Sequence, residues 1–187
     1  MSRPFALASA VRGLPVVARA EGSFAGKLED FLVRIEGLEV IGFKLRSPAF
    51  FGGPRGVAAS AMEQLGRDYV IVSGEAAVED AGESRGSLED RVWWSEWSGV
   101  RCLVRRGAEL GRLHDVVLSR DGRSVRGFLL DGNRLVVPGR HCAVGSDSLI
   151  LESEAAAVKM PPSRDSPEWW KELEARLTAA CGEGEGR

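Results

Sequence analysis

The sequence predicts an all-β protein, two tandem small β-barrels followed by a C-terminal α-helix. Three observations carry this prediction. A motif is written twice, as GKLEDFLVRIEGLEVIGF at residues 26–43 and as GRLHDVVLSRDGRSVRGF at 111–128. Gly26, Leu28, Asp30, Gly42 and Phe43 recur as Gly111, Leu113, Asp115, Gly127 and Phe128, an offset of 111 − 26 = 85 residues. Short apolar runs bounded by glycine and polar turns fill most of the chain, and a helical signature is confined to the tail.

Each copy opens on a short strand, LPVVAR at 14–19 and VRCLVR at 100–105, followed by a polar turn containing Gly22 or Gly107. In the next strand, KLEDFLVRI or RLHDVVLSR, simple alternation sets Leu28 and Leu32 on one face and Phe31 and Val33 on the other. Apolar groups on both faces fit a small barrel whose outside is partly covered. Glu36-Gly37 and Asp121-Gly122 mark hairpin turns, because glycine tolerates positive φ. The return strands EVIGFKLR and SVRGFLLD carry Gly42 and Gly127, which signal a bulge or a sharp bend. Beyond them the copies diverge. Gly66 aligns with Gly145 at an offset of only 145 − 66 = 79, so six residues are extra in the first copy. The strands RDYVIV and SDSLIL close the copies, giving five or six strands in each.

A first domain at 11–78 and a second at 97–157 are therefore expected, with residues 79–96 as a linker that carries a tryptophan cluster. Ser166 as N-cap, Pro167 at the first helical position and Gly182 past the end place a helix over 166–181. Its apolar face is Trp169, Trp170, Leu173 and Leu177.

A composition of 44% hydrophobic and 28% charged residues is that of a chain able to bury a core. A net charge of −2 gives no global attraction to nucleic acid or anionic lipid, so any such binding needs a local patch. No apolar run reaches the length of a membrane span, and the start MSRPFALASAVRG lacks the shape of a signal peptide. A cytoplasmic site and no membrane insertion are expected. Cys102, Cys142 and Cys181 lack CxxC spacing, which points to free thiols rather than a disulfide framework or a zinc site.

The pattern of a valine-rich strand, a glycine turn, G-K/R-L-x-D, a Gly-Phe return strand and a last strand after a further glycine resembles the PRC-barrel family. The resemblance covers residues 11–78 and 97–157. It implies small barrels used for assembly; family members include a domain of a photosynthetic reaction-centre subunit and a domain of a ribosome maturation factor. The first copy departs from the pattern around Ala59, where the second has Pro138.

Asp30 and Asp115 are the repeated carboxylates. On a barrel strand such a residue more often accepts backbone N–H bonds at a turn or bulge than acts as half of a catalytic pair. His114 beside Asp115 resembles half of a dyad, but neighbours on a strand point to opposite faces. His141 and Cys142 form an adjacent pair without a third, orienting group. There is no phosphate-binding loop, HExxH or dinucleotide fingerprint, and Gly52-Gly53-Pro54 reads as a turn. Neither a cofactor nor a catalytic residue is expected.

Contact surfaces are the remaining candidates. Phe50 and Phe51 lie in a glycine-rich loop that separates the copies in length, and an exposed pair there anchors a partner. Trp93, Trp94, Trp97, Trp169 and Trp170 are expected at a seam between the barrels or, as the other use of the same aromatics, between two chains of a homodimer. Residues 99–145 hold nine arginines against four acidic residues, Arg105 and Arg106 among them. Together these features favour a non-catalytic protein-binding adaptor whose partner is another protein. The alternative is an RNA- or ribosome-associated factor that uses the arginine-rich second barrel.

Overall fold

The computed structural model describes residues 3–46, 55–80, 90–139 and 141–182. The protein is all-β with a C-terminal helix. In chain order the elements are β1 (Phe5–Leu7), α1 (Ala8–Val11), β2 (Pro15–Ala18), β3 (Ser23–Arg34), β4 (Glu39–Arg46), β5 (Arg55–Ala58), β6 (Met62–Leu65), β7 (Val70–Val72) and β8 (Val78–Asp80). There follow β9 (Arg91–Trp93), α2 (Trp94–Trp97), β10 (Arg101–Val104), β11 (Glu109–Ser119), β12 (Val125–Leu130), β13 (Arg134–Val136), β14 (Cys142–Val144), β15 (Ser148–Leu151), β16 (Ala157–Lys159) and α3 (Pro167–Gly182). One sheet runs β6-β7-β2-β3-β4-β5-β8 and the other runs β14-β15-β10-β11-β12-β13-β16, so strand for strand the two have the same order. In each, one pair is parallel, β2 with β7 and β10 with β15.

Bulges curl the sheets and correct the simple alternation. The pairing shifts between Leu28 and Asp30 and again between Leu32 and Val33, and likewise between Leu113 and Asp115 and between Val117 and Leu118. An extra residue reverses the phase of every side chain beyond it, so Leu28 shares one core with Phe31 and Val33 instead of facing away from them. Gly42 and Gly127 sit beside the second of these shifts, opposite Leu32 and Val117. A further shift separates Val16 from Val17 and Cys102 from Leu103, next to Gly26 and Gly111, whose φ values of 140° and 152° suit glycine alone. A Cβ on Gly26 would lie 2.6 Å from the Arg46 carbonyl oxygen.

The linker expectation needs correcting at its C-terminal end. Residues 91–97 form β9 and α2, and β9 is a strand of the first sheet: Leu32, Val33 and Arg34 pair with Trp93, Val92 and Arg91. Ahead of residue 11 the chain forms β1 and α1, and β1 does not join the first sheet. β1 pairs with β11 of the second sheet, Leu7 opposite Val117 and Phe5 opposite Ser119. Each sheet is thus completed by the N-terminal arm of the other. A three-residue strand joined to a single helical turn is too short to show a period, which is why the sequence hid both arms.

After each arm the chain returns to its own sheet by the same bonds: Gly13 N–H donates to the Leu28 carbonyl at 2.7 Å, and Gly99 N–H to that of Leu113 at 2.7 Å. The exchange joins the two sheets into one core, an unbroken set of buried side chains that runs from Ala8 and Phe31 through Trp94 and Trp97 to Phe128 and Leu151. α2 spans the seam. Trp94 stacks on Phe31 of the first sheet at 6.0 Å, and Trp97 meets the Phe128 ring of the second edge-on at 5.4 Å. The indole N–H of Trp97 donates to the Gly145 carbonyl at 2.9 Å, so its one polar group is satisfied inside the core. The hairpin turns also meet directly, where Val40 N–H donates to the Arg123 carbonyl at 2.9 Å.

α3 begins at Pro167, and the Ser166 hydroxyl oxygen accepts the Trp169 N–H at 3.1 Å as N-cap. Trp169, Leu173 and Leu177 pack on Leu7, Val117, Leu129 and Leu135, a second and smaller core on the face of β1, β11, β12 and β13. The Trp169 indole N–H donates to the Asn133 side-chain oxygen at 3.3 Å, which ties the helix to the turn after β12.

A shared core predicts shared unfolding. Trp97→Ala should cost about 3–5 kcal/mol, and urea titrations followed by tryptophan fluorescence and by far-ultraviolet circular dichroism should still give one coincident transition. Two separated transitions would show that the sheets are independent.

Candidate functional site

The repeated aspartates are buried, and each accepts from its own strand and from the other copy's arm. Asp115 Oδ1 accepts the Val116 N–H at 2.9 Å and the Ser9 N–H at 3.1 Å, and its Oδ2 accepts the Ser9 hydroxyl at 2.5 Å. Arg164, 3.7 Å from Oδ2, adds a positive charge. Asp30 Oδ1 accepts the Phe31 N–H at 2.9 Å and the Ser95 N–H at 3.2 Å. Ser9 and Ser95 hold the same place in α1 and α2, an offset of 95 − 9 = 86 residues. Each carboxylate therefore binds the one-turn helix of the crossing arm at its N-terminus, where N–H groups are unpaired within the helix. The sequence reading found local donors plausible; the donors from the opposite arm are what it lacked.

The dyad of His114 with Asp115 does not form, because His114 is exposed while Asp115 lies wholly inside. His141 bonds Glu152 through Nδ1 at 2.7 Å on the surface. Cys142 beside it is half-buried, and burial, with the nearby Cys102, pushes its thiol up to about 11. Cys102 is buried in the core and is likewise pushed up to about 11, by burial above all, with Arg134 opposing and Asp131 adding to the rise. Neutral thiols are poor nucleophiles. Among the described residues, no three His, Cys, Asp or Glu side chains group as a metal site, and no helix is long and apolar enough to cross a membrane.

Of the expected partner-binding residues, Phe50 and Phe51 lie outside the described residues. Arg105 and Arg106 are exposed in the turn between β10 and β11, beside β15, where Arg105 N–H donates to the Leu151 carbonyl at 2.7 Å. The tryptophans divide. Trp94 and Trp97 are buried between the sheets, Trp93 is half-buried on β9, and Trp169 with Trp170 belongs to the contact of α3 with the second sheet. Other arginines of the second sheet are partly compensated: Arg101 and Arg112 both reach Glu109 at 3.7 Å. Asp121 is drawn up by burial, but the Ser119 hydroxyl, the Arg123 N–H and the charges of Arg123 and Arg126 outweigh that and hold it below the usual carboxylate range.

A surface that sequence reasoning missed lies on the first sheet. Val17 pairs with Phe24 on one side and with Ile71 on the other, so the three side chains form a row across β3, β2 and β7 on one face. Phe24 is 47% exposed, and Tyr69, just before β7, is 55% exposed. The matching row of the second sheet is Glu109, Leu103 and Ile150, with a charge where the first has a phenyl ring. The signal was available: Phe24 is an aromatic two residues past the Gly22 turn, facing a glutamate in the other copy.

No protein-family model matches the chain, and no curated protein matches it in sequence.

Removing the aspartate acceptor strands buried N–H groups on the crossing arm. Asp115→Ala and Asp30→Ala should each lower stability by about 2–4 kcal/mol in chemical denaturation, and a loss under 1 kcal/mol would show that the arms are held otherwise. The thiols set an alkaline limit. From an ordinary value of 9.0, Cys102 and Cys142 rise to about 11 in the fold, so both are neutral in folded and unfolded chains below pH 9. Above it only the unfolded thiols ionise, and stability should fall as pH climbs from about 9 to 11, which denaturation series at stepped pH would record.

Proposed function

We propose that the chain is a cytoplasmic, non-catalytic assembly module built from tandem PRC barrels, and that it binds a protein partner through the outer face of its first sheet. The observation that supports this most directly is the row of Phe24, Val17 and Ile71 with Tyr69 beside it. An aromatic pair raised on a rigid sheet loses little side-chain entropy on contact and has large apolar area to bury, the usual make-up of an interface hot spot. The repeated carboxylates support the same reading from another side, since both are engaged by backbone donors of the arms rather than offered to a substrate.

The second reading, an RNA- or ribosome-associated factor, draws on Arg105 and Arg106, which stand exposed in one turn. It is weakened by Glu109, which shares its charge between Arg101 and Arg112 and so thins the basic patch around that turn.

The test is capture from the native host's lysate by the immobilised protein, with and without nuclease and at low and high salt. A discrete protein that survives nuclease and is lost with Phe24→Asp, which leaves the buried core untouched, is the expected result. A Phe24→Asp variant should bind at least about tenfold more weakly. Phe50→Ala with Phe51→Ala is tested in the same assay. Binding abolished by nuclease or by salt, and reduced by Arg105→Gln with Arg106→Gln, would replace the adaptor reading with the RNA one.

A further inference from the structure

The matching loops of the two sheets frame two clefts of opposite character. In one, of about 800 Å³, the turn after β3 faces the segment before and after β14; Ile35, Glu36, Asp90 and Ser146 are among its walls, and none of its lining residues among the described ones is basic. In the other, of about 460 Å³, the turn after β11 and the N-terminal arm face the end of β6; Arg3, Arg67 and Arg120 line it, and none of its lining residues is acidic. The positions correspond. Arg120 stands where the first cleft has Ile35, an offset of 120 − 35 = 85, and Arg67 where it has Ser146, an offset of 146 − 67 = 79. At these two corresponding positions, one backbone frame has thus been given arginines on one side and uncharged residues on the other.

The rest of the basic cleft is apolar. Phe5, Leu7, Val11, Leu14 and Leu65 line it, and Trp170 of α3 closes one end. The Arg3 guanidinium lies 4.0 Å over the Trp170 ring, and among the described residues neither Arg3 nor Arg120 is paired with a carboxylate. Arg67 touches only its neighbour Asp68, at 3.9 Å with both side chains largely in water, a contact that neutralises little. Glu63 and Asp121, which with Phe5 and Arg120 line an adjoining hollow, have other partners: Glu63 binds Arg19 at 2.8 Å, and Asp121 accepts the Ser119 hydroxyl at 2.5 Å. Arg3, Arg67 and Arg120 are exposed at the rim of this partly apolar cleft, and a guanidinium offers an incoming carboxylate two parallel donors. The volume falls within the range of small-ligand sites.

We propose that this cleft binds a small organic carboxylate with an apolar body. Arg67 and Arg120 take the carboxylate, Arg3 adds its charge from above the Trp170 ring, and the body lies against Phe5, Leu14 and Leu65. The cleft shares no lining residue with the Phe24 surface on which partner binding was proposed, the two meeting only at the β6–β7 turn between Arg67 and Tyr69, so failure of either leaves the other intact.

Octanoate is the probe, with octylamine and octanol as cationic and neutral bodies of the same length, each titrated into the isotopically labelled full chain by amide nuclear magnetic resonance. Octanoate alone should shift amides of residues 3–14, 65–67 and 120 and the Trp170 indole in a saturable way. Arg67→Gln and Arg120→Gln should each weaken it by about five- to tenfold with the spectrum otherwise preserved, and Arg101→Gln, remote from the cleft, should leave it unchanged. Shifts as large with octylamine or octanol, or an affinity within twofold of the parent in both cleft variants, would overturn the assignment.

Discussion

Two carboxylates hold this molecule together from opposite ends. Asp30 and Asp115 are buried, where a polar group without partners is strongly unfavourable, and besides one N–H of its own strand each finds a donor on a helical turn that belongs to the other sheet. The dependence is mutual. The arm that carries Ser9 must reach β11 for Asp115 to be satisfied, and the arm that carries Ser95 must reach β3 for Asp30. Everything else about the shared core, including the placement of Trp94 on one sheet and Trp97 on the other, follows from that crossing.

Within this common frame the outer faces have been put to different uses. The face of β11 to β13 is closed by α3, whose Trp169 and Leu173 replace water over Leu129 and Leu135. Lys44 of β4 occupies the position that Leu129 holds in β12, and Gly56 the position of Leu135, so the first sheet offers no comparable seat for a helix. Its apolar residues are instead grouped on the side of β2 and β7.

Much of the fold was legible because it is written in glycines and turns. EVIGFKLR coincides with β4 end to end, and the two motif copies announce β3 and β11. The tail helix was legible from Ser166 and Pro167, a local signal with a local cause. The arms were not, since β1 and β9 are three residues each and their pairing is a property of the partner sheet. Bulges hid the facing of Leu28 for a similar reason: one inserted residue inverts the pattern without changing composition. The site was less legible than the fold. Asp30 and Asp115 stood out by repetition, yet their role depends on residues far along the chain. Phe24 and Arg120 carry meaning only by contrast with Glu109 and Ile35, their counterparts in the other copy.

The crossing has a consequence for the order in which the chain becomes structured during synthesis. Ser95 lies 65 residues beyond Asp30, and Asp115 lies 106 residues beyond Ser9. When the first sheet has left the ribosome it still lacks β9, and the arm that preceded it has no β11 to join. Both open edges stay exposed until the second half emerges, and contacts of such range are slow to form. During that interval the β1 arm of a short nascent chain fits the β11 of a longer neighbour, and that neighbour's β9 fits the open first sheet, as each would fit its own partner. Polysomes, where shorter and longer nascent chains lie side by side, are a setting that favours such an exchange of arms between molecules over pairing within one.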